Sequence, residues 1–538
     1  AWFAEGTAQY MRKEFDYDNW DTHRDMILRS YILDGNMLTW NQMGVFNKTS
    51  LGNESVYNSG FALTRYISQK YGEEKIRLIT EKLGKATNFT IDAAIEDVLG
   101  ITGRELYNEW ISFLIQNYNE RISEVKENYV AGDTLRNEGF GNFYPIYSED
   151  EKSFYYISNK TADYFGLSNI FKYNFETKED EFITGPVRST ISVIPGQNKI
   201  VYSKLDDDNP KSIKIHDVFV YDLDEEEETR LTYGLRANNP NVSNDAKHIT
   251  FIYQKDGTTN IGLVDINGEN FKSLTNFNNG EQVYNPKFSN DDLHIIFGHS
   301  YHHGRDIAKV NIDGTGFEFL IQTDADERNA TYDNDGNLIY SSDETGIFNL
   351  YKQDANSGEP KRLTNVTGGA FMPSVNSKGD IVYSAYTSTG YKIFRLPKAE
   401  QNNVIEEKQY VWIGNPPLDK DQPDVEAPIA NVDRLKNFND YETPDYESKK
   451  YSGSFTNLAF YPFIRYDNYN TSNDFTDRIK PGVYVTSSDI LNRFGFFAGG
   501  AINKRWERDL FLIFDYRDKL PLLFDIGLNQ NSLSNFTL

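Results

Sequence analysis

Asn285-Pro286-Lys287-Phe288-Ser289-Asn290-Asp291-Asp292 runs into the apolar segment Ile295-Ile296-Phe297, and this stretch decides how the chain reads. Proline cannot donate to a ladder, so Pro286 belongs where an entering strand lacks a partner. The Ser-Asn-Asp-Asp run has the chemistry of a tight turn, and Ile295-Ile296-Phe297 that of a buried strand. The same order recurs. Copies begin at Tyr144-Pro145-Ile146-Tyr147-Ser148, Asn239-Pro240-Asn241-Val242-Ser243 and Met372-Pro373-Ser374-Val375-Asn376. Two degenerate copies lie near Ser189 to Gly196 and Asn329 to Gly336. Each copy leads into an apolar strand, among them Ile200-Val201-Tyr202, Ile249-Thr250-Phe251-Ile252, Leu338-Ile339-Tyr340 and Ile381-Val382-Tyr383. A third strand follows, as in Asp217-Val218-Phe219-Val220-Tyr221 or Phe348-Asn349-Leu350-Tyr351. Repeats then close on Arg230-Leu231-Thr232, Ser273-Leu274-Thr275 or Arg362-Leu363-Thr364. The period of roughly 45 residues is that of a four-stranded propeller blade.

A single four-stranded blade cannot bury both of its faces, whereas a ring of blades buries them between neighbours and leaves few open edges. The repeats therefore predict a six-bladed β-propeller over residues 131–398. The last repeat, Phe371 to Leu396, has no closing Leu-Thr strand, while Asp133-Thr134-Leu135-Arg136 stands before Pro145 where no earlier blade needs it. Pairing Thr134 and Leu135 with the strand near Ile393 and Phe394 would close the ring at the cost of one long loop. These repeats resemble the TolB-type propeller. That resemblance implies a platform for a protein or peptide ligand in a bacterial cell envelope.

The 538 residues suggest about three domains. The formal net charge of -25 argues against nucleic acid as a partner, because phosphates require a basic surface. Cysteine is absent, which excludes disulfides and thiolate zinc sites. No apolar run of ~18 residues predicts a transmembrane helix. The chain opens at Ala1-Trp2-Phe3-Ala4 and ends at Leu538 inside strand-like sequence, which reads as a piece of a longer protein.

From Ala1 to about residue 130 the periodicity is helical, with predicted helices over Ser59–Tyr71, Glu73–Leu83, Asp92–Leu99 and Arg104–Glu127, and Gly72, Gly84, Gly100 and Gly103 as caps. Two motifs stand out: Trp2-Phe3-Ala4-Glu5-Gly6-Thr7-Ala8-Gln9-Tyr10 and Val56-Tyr57-Asn58-Ser59-Gly60-Phe61-Ala62-Leu63. They resemble segments of the gluzincin zinc peptidases, such as the aminopeptidase N family. The resemblance implies Glu5 as a zinc ligand and Tyr57 as the catalytic hydroxyl that stabilises a tetrahedral intermediate. The chemistry suits the residue types, since a catalytic zinc takes three protein ligands and a water, and a phenol can donate to an oxyanion. The family's His-Glu-x-x-His helix would lie roughly twenty residues before Glu5, ahead of Ala1. This chain therefore supplies one zinc ligand at most. Glu5 also reads as an ordinary first-turn helix acid, and Tyr57 as a core or capping aromatic.

Other clusters read as scaffolding. His299-x-x-His302-His303 fits a hydrated blade loop better than a metal cluster. Asp206-Asp207-Asp208 and Asp224 to Glu228 fit solvated turns. Asp333-Asn334-Asp335-Gly336 mimics the start of a calcium loop but coincides with a blade turn. No Gly-x-Ser-x-Gly elbow occurs.

Residues 399–450 break the pattern, with Pro416, Pro417, Pro423, Pro428 and Pro444 among acids and Asn, as in an extended linker. Residues 451–538 return to strands, predicted over Gly482–Ser487, Arg493–Ile502, Leu510–Arg517 and Leu522–Leu528. Their Phe-rich, Gly-punctuated pattern resembles the opening strands of outer-membrane surface-antigen barrels. Four to six strands fit, below the ~8 that close a barrel, and a small soluble β-domain is the other reading.

The combined expectation is a multidomain protein of the bacterial cell envelope. It comprises an α-helical gluzincin-like metallopeptidase segment, a six-bladed propeller, and C-terminal antiparallel β forming part of an outer-membrane barrel. The expected cofactor is zinc. The expected partners are a peptide or protein at the propeller, the outer membrane, and an envelope complex. The rival expectation is a non-catalytic scaffold, and an intact His-Glu-x-x-His upstream would decide between them.

Overall fold

The computed structural model describes residues 1–12, 20–46, 53–85, 90–162, 164–206, 213–301, 304–401, 445, 447, 458–468, 474–489, 493–516 and 522–529. The chain divides into two compact units, residues 1–427 and 428–538. The expected linker falls almost wholly outside the described residues, as do His302, His303, Asp207 and Asp208.

The first unit begins with eight described helices: α1 (Trp2–Met11), α2 (Thr22–Leu33), α3 (Trp40–Met43), α4 (Asn53–Tyr71), α5 (Glu74–Leu83), α6 (Ile91–Leu99), α7 (Gly103–Arg121) and α8 (Ser123–Glu127). The four predicted helices cover α4 to α8, fusing α7 with α8, and the Trp2–Tyr10 motif lies on α1, whereas α2 and α3 are missed. Helix α2 escapes the sequence reading because Met26, Ile27, Leu28, Tyr31 and Ile32 are buried together with Asp25, Arg29 and Ser30, which leaves no amphipathic stripe. Gly100 caps α6 in the left-handed conformation, as predicted. Gly103 instead opens α7, and Thr102 is the cap, forming a capping box with Glu105. Gly103 is required for space, since a Cβ there would lie 2.5 Å from the Trp40 ring. Leu106, Trp110, Leu114 and Tyr118 bury one face of α7, while Phe113 stays exposed.

Six four-stranded antiparallel sheets follow, in the arrangement expected of a propeller. Their first strands are Asn142–Tyr147, Ile191–Val193, Asn238–Val242, Gln282–Phe288, Glu327–Tyr332 and Gly369–Val375. In five of the six, the register slips at the same place, around Pro145, Pro240, Pro286 and Pro373 in four sheets and around Ala330 in the fifth. The residue at the slip has positive φ: Tyr144, Asn239, Asn285, Asn329 and Met372. The anchor motif is therefore a β-bulge that re-aims the side chains following it. The turn after it is held by serine. In three copies the hydroxyl of Ser148, Ser243 or Ser289 donates to Asp150, Asp245 or Asp291 at 2.6–2.8 Å and accepts a backbone N–H across the turn.

The closing Leu-Thr motif has an equally local cause. Leu274 and Leu363 are buried in the cores between sheets. Thr232, Thr275 and Thr364 each accept the N–H of Val218, Ile261 or Leu350 on the third strand, at 2.8–3.0 Å. Each hydroxyl also donates to a buried Asp217, Asn260 or Asn349. The sixth sheet is completed by Asp133–Arg136, with Thr134 opposite Phe394 and Arg136 opposite Ile393. This is the predicted closure, except that Leu135 falls in the irregularity between the two pairs.

The second unit contains a five-stranded antiparallel sheet in sequential order, Ala459–Tyr466, Ile479–Ser488, Phe494–Ile502, Arg508–Tyr516 and Leu522–Asn529. Register puts Phe460 beside Val485, Val485 beside Ala498, and Ala498 beside Leu512. On the same face Pro462, Val483, Gly500 and Leu510 form the next row. Phe460 and Ile464 are 62% and 75% exposed there. The opposite face is different in kind. Lys480 is buried between Asp467 (2.8 Å) and Asp509 (3.1 Å), and Arg465 reaches Asp509 at 3.1 Å. Phe463 stacks on Tyr484 at 3.9 Å, and Tyr484 and Phe511 cover Gly499.

Candidate functional site

The two motifs flagged in the helical segment meet. Helices α1 and α4 run side by side, with Trp2 and Gly6 against Gly60, and the Tyr10 hydroxyl 2.6 Å from Ser68. A Cβ on Gly6 would lie 2.2 Å from the Gly60 carbonyl oxygen, and one on Gly60 would lie 2.4 Å from the Trp2 carbonyl. Backbone-to-backbone approach of this kind is open only to glycine. The Glu5-Gly6 and Tyr57-x-x-Gly60 motifs are thus two halves of one helix crossing, and Glu5 and Tyr57 both lie near the N-terminal ends of the paired helices. Helix α4 begins at Asn53, so Tyr57 sits in its second turn rather than at its start. Tyr57 packs beside Phe46 with ring centroids 5.9 Å apart. Glu5 is half-buried, and its carboxylate has no hydrogen-bond or ion-pair partner among the described residues. Among the described residues no group of three or more His, Asp or Glu side chains could hold a metal ion. For a zinc ion these residues provide the single carboxylate of Glu5. His299, the described member of the His cluster, is packed among Phe277, Phe317 and Phe319. Both Asp333 oxygens are engaged by Asn337 and Lys352.

A second locus lies where the first strands of the six sheets converge. Tyr144 on the first sheet hydrogen-bonds with Asn239 on the third and Asn285 on the fourth, and Asn239 donates to Asn285 at 2.8 Å. Contacts between non-neighbouring sheets place these three side chains at a common axis. Burial pushes the Tyr144 phenol upward.

One end of this axis is covered by the chain itself. Met26, Ile27 and Tyr31 of α2 pack against Phe140, Phe348, Phe371 and Tyr386. Arg29 donates to the Thr367 and Gly368 carbonyls at 2.8 and 2.9 Å, and the Thr22 hydroxyl donates to Asp343. Asn36 and Asp34 fasten the far end of α2 to Ser388. Beneath the N-terminus of α2 lies a charged cluster that sequence reading did not single out. Burial, with Arg328 beside it, lowers His23 to about 4. Burial raises Glu327 to about 8, reinforced by Asp306, Asp343 and Asp326. Glu327 accepts from Thr323 at 2.6 Å through one oxygen, and the other has no partner. No sequence signal marks this cluster, because its members come from a helix, the starts of two strands and the loops beside them.

Comparison with known proteins bears on the sheets. Residues 239–408 match the family model of the TolB beta propeller domain. Curated proteins return no match. Similar solved structures include TolB from Acinetobacter baumannii, at 16% identity over 55% of this chain and 71% of that one, TM-score 0.35. Another is an oligogalacturonate lyase from Vibrio parahaemolyticus, at 16% identity over 49% and 80%, TM-score 0.36. A third is the propeller domain of the Trilobed protease from Pyrococcus furiosus, at 14% identity over 53% and 99%, TM-score 0.35. With the repeated four-stranded sheets and the domain match, the chain carries a TolB-like β-propeller.

Proposed function

We propose that this chain is a bacterial envelope protein held at an outer membrane by its C-terminal sheet, with a six-bladed propeller that docks a protein or peptide. The observation that carries the reading is the division of the five-stranded sheet into two unlike faces. Leu510, Leu512, Phe460, Ile464 and Val483 are exposed large apolar side chains on one face, and the other carries the ion pairs of Lys480, Arg465 and Asp509 beside an aromatic cluster whose Tyr461 and Phe497 are also exposed. A water-soluble sheet covers its apolar face with a second layer, whereas a membrane barrel turns it to lipid and its polar face to the lumen. The five strands are then the opening of a larger barrel. No described helix is long and apolar enough to cross a membrane, so strands are the elements that remain for the task. The full-length protein should sediment with outer membranes and stay there through carbonate washing. Release of intact protein by carbonate would remove the anchor from the account.

A second reading has its own support in the Gly6–Gly60 crossing. It makes residues 1–130 the later part of a gluzincin-like peptidase domain, with Glu5 as one zinc ligand, Tyr57 as the donor to the oxyanion, and the other ligands outside this chain. When bound, zinc would supply Lewis-acid activation of water. In the full-length protein Glu5→Gln should lower bound zinc, and Tyr57→Phe should leave zinc in place while slowing turnover. Unchanged metal content in Glu5→Gln would reject Glu5 as a ligand and favour the non-catalytic scaffold.

A further inference from the structure

On the first strands of three sheets, a short polar side chain at the same level makes the same bond. Ser192 accepts the N–H of Val242, Asn241 that of Phe288, and Ser374 that of Tyr147, each time from the first strand of the next sheet around. These short polar side chains stitch neighbouring first strands together along the axis. The corresponding positions of the first, fourth and fifth sheets hold Ile146, Lys287 and Thr331, of which Lys287 alone is charged. An ammonium cannot accept a hydrogen bond, and its long stem carries it past the edge that Ser and Asn serve. Lys287 is half-buried between the buried Pro286 and Phe288, and no carboxylate or hydrogen-bond acceptor meets it among the described residues. Burial alone holds its amine down, at about 8.

The surroundings of Lys287 define how it can be reached. Two residues upstream lies Asn285, joined across the axis to Tyr144 and Asn239, which form a floor. Beyond that floor α2 covers the end of the axis. Downstream of Lys287 come the serine turns, and that end is the approach. The turn acids Glu149, Glu151 and Asp292 are tied to backbone N–H groups of neighbouring turns at 2.6–2.8 Å. They put negative charge at that end of the first and fourth sheets and disfavour a phosphate-rich or polyanionic ligand. A partly buried ammonium without an ion-pair partner is stabilised by one anion that can shed its water and accept directly.

We infer that the turn-side end of the propeller axis is a socket for a single carboxylate of a peptide ligand, held by Lys287 above the Tyr144–Asn239–Asn285 floor. The inference deepens the reading of the propeller as a docking platform and rests on it. A C-terminal carboxylate and an Asp or Glu side chain offer the same chemistry, so the test has an arm for each.

Trace acetylation of the full chain with acetic anhydride across a pH series, read by mass spectrometry of the peptide containing Lys287, reports this one amine. N-acetylglycine supplies a terminal carboxylate, N-acetylaspartate diamide a side-chain one, and N-acetylglycinamide neither. At least one carboxylate should slow Lys287 labelling about tenfold and move its titration up by about one pH unit, because a bound anion favours the charged amine. N-acetylglycinamide should do neither. Lys287→Met, which should fold because it removes only an unpaired charge, should lose binding of the same carboxylate measured by ligand-observed NMR, and Lys287→Arg should retain it. Equal protection by the neutral amide, or none by either carboxylate, overturns the socket. If the propeller still captures a protein partner while both carboxylates leave Lys287 unprotected, the socket fails and the docking platform stands. If capture fails while a carboxylate protects Lys287, the reverse holds.

Discussion

The sheets of the propeller and the sheet of the C-terminal unit are both antiparallel, aromatic and regular, yet they solve opposite problems. A middle strand of the propeller, such as His294–Ser300, buries Ile295, Ile296 and Phe297 in succession, because both of its faces meet neighbouring sheets. Strand Arg508–Tyr516 alternates instead, with Leu510 and Leu512 exposed and Asp509 drawn into an ion pair with Lys480. Continuous burial against alternation over residues 508–513 separates a strand walled in by protein from one with an uncovered face. The same residue types therefore carry different consequences in the two places.

The largest consequence should appear in the propeller. Ile295→Asp places a carboxylate where the side chain is fully buried between sheets. It should cost upward of ~4 kcal/mol and leave the propeller unfolded at 37 °C, as read by loss of its cooperative thermal transition. In the C-terminal sheet Leu512→Arg should cost about 2–4 kcal/mol of stability in a bilayer and almost nothing in water. Retained outer-membrane assembly of Leu512→Arg, scored by heat-modifiable migration, would put that face in water and erase the contrast.

Smaller effects sharpen the same comparison. Thr364→Val keeps the shape of the closing motif but strands the N–H of Leu350 and takes one of two donors from the Asn349 side-chain oxygen. The loss should be about 2 kcal/mol, measured by urea unfolding. Carboxylates differ between the regions as well. Asp509 has Lys480 beside it, while Glu327 has burial and three acids. A carboxyl whose native pKa is raised loses stability as pH climbs from its ordinary range, near 4.5, toward about 8. Glu327→Gln should therefore raise the melting temperature at pH 8, by the equivalent of about 1 kcal/mol or more, and leave it unchanged at pH 4. Equal melting temperatures at pH 8 would show that the carboxyl is stabilised in a way its surroundings do not reveal.

The repeats were readable because each depends on local chemistry. A Pro at a bulge, a serine turn and a Leu-Thr closure all act within one strand or turn, so they leave marks at fixed spacing. Ring closure by Thr134 was readable from a missing strand at one end and a spare one at the other. Helix α2 was not readable, since it is buried on every side by α4, α7 and the propeller, and carries Arg29 and Asp25 inward as a pair at 2.6 Å. The Gly6–Gly60 contact was half legible: both motifs were visible, but their meeting is a fact of packing between segments more than fifty residues apart. The His23–Glu327 cluster left no mark, because its charges gather from a helix and from strands and loops distant in the chain. Lys287 was visible only as a letter in the deciding stretch, and its place level with Ser192, Asn241 and Ser374 needs the register of several sheets to be seen.

The most direct measurement concerns the bare face of the C-terminal sheet. Nitroxide labels placed singly at positions 460, 483, 510 and 512, and at 461, 484 and 509, can be compared in the full-length protein in outer-membrane lipid, using collision with oxygen against a water-soluble nickel chelate. The account predicts alternation: the first set favours oxygen, as in hydrocarbon, and the second set favours the chelate or is shielded from both. Equal access of the chelate to both sets would contradict the membrane face and leave the sheet as part of a water-soluble domain.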